Sequence, residues 1–71
     1  MARQSKGDMM YTIEIVTGTD EVKLLRMIYV TADLAEAKAR RIFRTFELEH
    51  LFGWEVVIRE NGKEYSRDTL R

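Results

Sequence analysis

His50 is the single histidine of the chain. It closes a short acidic run, Glu47-Leu48-Glu49-His50, which invites two chemical readings: a metal-ligand set or a general base. With no second histidine and no cysteine a four-coordinate site lacks donors. An imidazole in a last helical turn has a simpler occupation beside free carbonyls and the negative end of the helix dipole. Nucleophilic catalysis would need an activated hydroxyl, a base and an orienting acid. Ser5 falls in a polar N-terminal stretch and Ser66 on an expected edge strand, so no triad assembles. Gly18 and Gly53 stand singly, whereas phosphate-cradling loops cluster their glycines between a strand and a helix. The carboxylates of Asp20-Glu21 fall in a turn, where solvated acids are routine. The chain is therefore expected to be no enzyme, with no cofactor, no metal and no small-molecule substrate.

One constellation has the spacing to act. Lys38, Arg41 and Arg44 follow one another at i, i+3, and Arg40 precedes Arg44 by four residues, so the cations project from roughly two turns of helix. Leu34 and Leu48 border them. Such a face meets a partner's carboxylates or the phosphates of a nucleic acid. The simpler reading is a solvated surface partly paired with Glu36 and Glu47, the first of which lies at a salt-bridging helical spacing from Arg40.

The element that must carry these cations spans residues 33–50, the only segment with a sustained helical period. Winding it at about 100° per residue puts Ala35, Ala39, Ile42, Phe43, Phe46 and His50 on a core face and the basic residues opposite. Asp33 stands where an N-cap belongs, with Glu36 three residues on to complete a capping box. Gly53 supplies a left-handed C′ residue, and the helix is expected to stop between His50 and Phe52.

Everything around that helix alternates as strand. Residues 10–17 place Tyr11, Ile13 and Ile15 on one side and Thr12, Glu14 and Val16 on the other. Gly18-Thr19-Asp20-Glu21 reverses the chain into an antiparallel partner. Residues 22–31 are apolar on both faces, which fits either the central strand of a small sheet or a strand whose far side is covered by a second molecule. Residues 54–60 alternate again, with Trp54, Val56 and Ile58 toward the helix. Asn61-Gly62 tolerates the positive φ of a type I′ turn, so residues 63–67 return as a short charged edge strand. The expected fold is α+β, a single β-β-α-β-β domain over residues 9–71 with one helix across an antiparallel sheet of three to four strands. Residues 1–8 are polar and without period, and are expected to form a disordered tail.

Composition bounds the function. The 71 residues carry 12 basic and 12 acidic side chains, so a general attraction to polyanions is not encoded and any charge signal is local. No apolar run approaches the roughly 20 residues that span a bilayer, and no secretory signal opens the chain; a cytoplasmic location is expected. A small cysteine-free domain gains by self-association. Val16, Leu24, Ile28, Val30 and Val57 are the candidates for an interface on the sheet face away from the helix, with a homodimer as its simplest form.

The run YVTADLAEAK followed by GWEVVIRENGK is similar in outline, over residues 22–65, to short phage-encoded inhibitors. Inhibitors of host RNA polymerase and anti-CRISPR proteins are among these, as are several families of uncharacterised bacterial domains. The resemblance implies a β-β-α-β outline and an inhibitory or regulatory protein-binding role, and it carries no site residue. The resulting expectation is a protein-interaction module using Lys38, Arg40, Arg41 and Arg44, with a nucleic-acid-binding accessory protein as the alternative.

Overall fold

A computed structural model describes residues 10–71 of the chain, with backbone only for residues 24–27. The expected tail, residues 1–8, lies outside the described residues. Four strands and one helix follow in the order β1 (Tyr11–Val16), β2 (Val22–Tyr29), α1 (Ala32–Leu48), β3 (Glu55–Glu60) and β4 (Lys63–Thr69). The architecture is the expected α+β fold, with all strand pairs antiparallel in the sheet order β2-β1-β3-β4.

Among the described residues this order places β2 at one end of the sheet, beside β1. The chain leaves β2, crosses the sheet as α1, and returns as β3 on the far side of β1. Among the described strands the inner pair is therefore β1 and β3. The β2 ladder also slips by two residues, from Thr12↔Ile28 to Ile13↔Leu25, an irregularity of the kind that bends and twists a strand locally.

The core lies between α1 and the inner sheet face. Alternation gives it Tyr11 and Ile13 from β1 and Val56 and Ile58 from β3, all nearly inaccessible to solvent. Ala35 and Ala39 let the first half of the helix lie close to the sheet, and Phe46 fills the wider gap under the second half. Phe46 meets Trp54 edge to face at 5.6 Å, a favoured arrangement of ring quadrupoles.

The helix boundaries correct the sequence reading at both ends. Thr31, extended at φ −130° and ψ 151°, is the N-cap, and its hydroxyl accepts from the Leu34 amide at 3.2 Å. Asp33 is already inside the first turn, so it does not cap and its box with Glu36 does not form. The C-terminus closes as a Schellman motif. The Leu51 amide donates to the Phe46 carbonyl at 2.9 Å and the His50 amide to Glu47 at 3.2 Å. The left-handed C′ residue is His50, at φ 56°, and not Gly53. His50 thereby leaves the core face and is exposed.

The last hairpin turns at Asn61 and Gly62, with φ of 50° and 87°. Asn61 also ties the turn to the start of β1: its amide donates to the Met10 carbonyl at 2.8 Å, and its side-chain oxygen accepts from the Met10 amide at 2.9 Å. Strand β4 runs two residues further than expected, and its pairing slips by one between Ile58↔Ser66 and Arg59↔Glu64. Tyr65 is the extra residue of this bulge. Its ring meets Tyr11 edge to face at 5.6 Å, and its hydroxyl reaches across to Glu36 on α1 at 2.8 Å.

Candidate functional site

Two sets of cations occupy opposite sides of the domain, and their surroundings differ. On the outer sheet face Arg59 pairs with Glu14 at 3.0 Å, and Arg67 bonds both Glu55 and, at 2.9 Å, Glu64. These bonds hold the Glu64 carboxyl below its ordinary value and raise the Arg67 guanidinium, the hydrogen bond between the two being the main cause in each case. Val57 sits in the middle of this lattice. Its register partners are Glu14 and Arg67, and it has no exposed surface. The aliphatic stems of long charged side chains cover apolar surface in this manner while their heads stay in water.

That burial changes the candidate sheet interface. Val57 offers a partner nothing to touch, and Val16 is half-buried. Ile28 and Val30 are well exposed and lie on and just beyond β2. The side chain of Leu24 lies outside the described residues. Among the described residues, Val57 and Val16 thus add little to an apolar surface on this face, while Ile28 and Val30 add most of it.

The helix cations are differently placed. Lys38 is half-buried and Arg40, Arg41 and Arg44 are exposed. Among the described residues none of the four takes part in an ion pair. The expected pairing of Arg40 with Glu36 is absent, and Glu36 accepts the Tyr65 hydroxyl. A shallow groove of about 630 Å³ runs beside Arg40, Arg41 and Arg44, with Phe43 as its apolar wall and Glu47 and Asp68 as its acidic one. Asp68 was missed by the sequence reading, which ended β4 at residue 67. The register of β4 places it opposite Val56, on the helix side of the sheet.

A second depression of about 370 Å³ lies on the other flank, between Leu34, Lys38 and Tyr29. Ala37 and Arg41 border both hollows. Leu34 and Leu48 stand at the two ends of this surface, 53% and 68% exposed. The face is thus a mixed basic and apolar ridge with open hollows on either side.

His50 sits past the helix end with its ring 6.2 Å from that of Phe52. Among the described residues no group of His, Asp and Glu side chains converges as metal ligands would, and no helix is long and apolar enough to cross a membrane. No protein-family model matches the chain, and no curated protein or solved structure is significantly similar to it. The outline likeness to phage-encoded inhibitors gains no support from these comparisons.

Proposed function

We propose that this domain is a non-enzymatic protein-binding module whose basic helix face docks on an acidic surface of a partner protein. The observation that carries the reading is the contrast between the two sets of cations. Arg59 and Arg67 on the outer sheet face are internally neutralised, while among the described residues Lys38, Arg40, Arg41 and Arg44 take part in no ion pair and stand beside exposed leucines. Arginine mixed with apolar side chains is the composition protein interfaces favour. A domain that relied on phosphate contacts would carry a positive excess, whereas this chain has 12 basic and 12 acidic side chains. Unpaired surface cations contribute little to folding, so the Arg40→Ala, Arg41→Ala, Arg44→Ala triple variant should keep its stability within about 0.5 kcal/mol.

The test compares wild type and that variant for binding to polyglutamate and to generic duplex and single-stranded DNA and RNA at low and physiological salt. Wild type should bind polyglutamate, and the triple variant should lose that binding with its fold intact. Nucleic-acid binding that falls about a hundredfold between about 50 and about 200 mM salt, as roughly four phosphate contacts require, and that vanishes in the variant would replace this reading with the nucleic-acid one.

A further inference from the structure

We infer that the acidic partner presents an amphipathic helix, acidic in the middle of its contact seam and apolar at both ends, laid along the ridge of Leu34, Arg41 and Leu48. This rests on the acidic-partner reading of the same face and specifies the shape and spacing of what it binds. Leu34, Arg41 and Leu48 are separated by seven residues each. On a helix that spacing drifts by only about 20° per step, so the three side chains form one nearly straight line. At about 1.5 Å of rise per residue the two leucines stand roughly 21 Å apart. Ala37 and Arg44 fall in the intermediate positions of the same seam, a small residue that allows close approach and a second unpaired cation.

Two exposed leucines bracketing unpaired arginines at heptad spacing match the way helices meet along a seam, where each side chain enters a hole between four residues of the facing helix. The hollows flanking Ala37 and Arg41 are open to receive such side chains. Charge complementarity then fixes the occupant. A second copy of this helix would set Arg41 and Arg44 against like charges and is disfavoured. A partner with glutamates or aspartates opposite these two, and with leucine-like residues opposite Leu34 and Leu48, satisfies every position. Phosphates would use the arginines and leave both leucines in water.

The probe is a fluorescein-labelled synthetic helix of about three heptads, stapled on its far side, with leucines two heptads apart on one seam and glutamates between them. Anisotropy should show binding to wild type. The Leu34→Gln, Leu48→Gln double variant should bind about tenfold or more weakly, since each leucine loses its apolar contact. Arg41→Glu, Arg44→Glu should abolish binding of the glutamate probe and accept a probe with lysines in the same positions. That charge exchange tests the seam independently of the leucine variants, and circular dichroism confirms the fold of each. Equal binding of a probe lacking the leucines would overturn the helical seam and leave the acidic-partner reading standing. Failure of both probes, with duplex DNA bound through the same arginines, would overturn both. Silence from every probe would overturn the inference.

Discussion

Replacing His50 by glycine should make the domain more stable. His50 holds the C′ position of the Schellman motif at φ 56°, where the Phe46 and Glu47 carbonyls collect the amides that close α1. A left-handed conformation costs an L-residue with a Cβ roughly 1–2 kcal/mol. Glycine removes that cost but brings back about 0.5–1 kcal/mol through its greater freedom in the unfolded chain. The net gain is about 0.5–1 kcal/mol. The lost ring contact with Phe52 subtracts little, because both residues are exposed. For a domain of this size the gain corresponds to a rise in Tm of about 2–8 °C. His50→Val should move the other way by about 1 kcal/mol, a β-branched side chain being least tolerant of positive φ. Thermal and urea unfolding followed by circular dichroism would measure both. If glycine gave no gain and valine no loss, His50 would not occupy the left-handed position and the closure of α1 described above would be wrong.

The Tyr11 hydroxyl donates to Glu60 at 2.8 Å, and that bond first, then burial, pushes its pKa up to about 12. The folded state thus keeps a proton that the unfolded chain releases near pH ~10. This contribution is complete below that pH and fades as pH rises toward 12. Urea midpoints should fall over that interval, and less steeply in Tyr11→Phe; an identical slope in the variant would refute the linkage. Asn61→Pro removes the amide bonded to Met10 and cannot adopt φ 50°, so it should cost more than about 1 kcal/mol. Asn61→Asp keeps a side-chain acceptor and tolerates the turn, and should stay within about 0.5 kcal/mol in the same unfolding experiment. Ala35 has no exposed surface under the helix; Ala35→Leu should cost about 1–3 kcal/mol by overpacking, and an unchanged unfolding midpoint would mean that the helix does not lie close to the sheet there.

The elements themselves were legible in the sequence because each is governed by local rules. Alternation along Tyr11, Ile13 and along Val56, Ile58 chose the inner sheet face, the helical period chose Ala35, Ala39 and Phe46, and Asn61-Gly62 set the last turn. The basic stripe was equally readable, since i, i+3 and i, i+4 neighbours on a helix are fixed by its geometry. Choices between near-equivalent local partners required the assembled molecule. Thr31 and Asp33 are both competent caps, and the point at which the chain leaves β2 selects Thr31. Glycine is the usual left-handed residue, yet the Leu51 amide reaches Phe46 only if His50 takes that conformation, which moves Gly53 to a later turn. Which group besides Arg40 would reach Glu36 also depended on the assembled molecule. That group is Tyr65, brought within reach by a one-residue bulge in β4 that is 29 residues away in sequence. Strand order was likewise set by the crossover of α1, which put β3 beside β1 and, among the described strands, left β2 on the other side of β1. Pairing between distant strands is what burying one common core decides, and no local period encodes it.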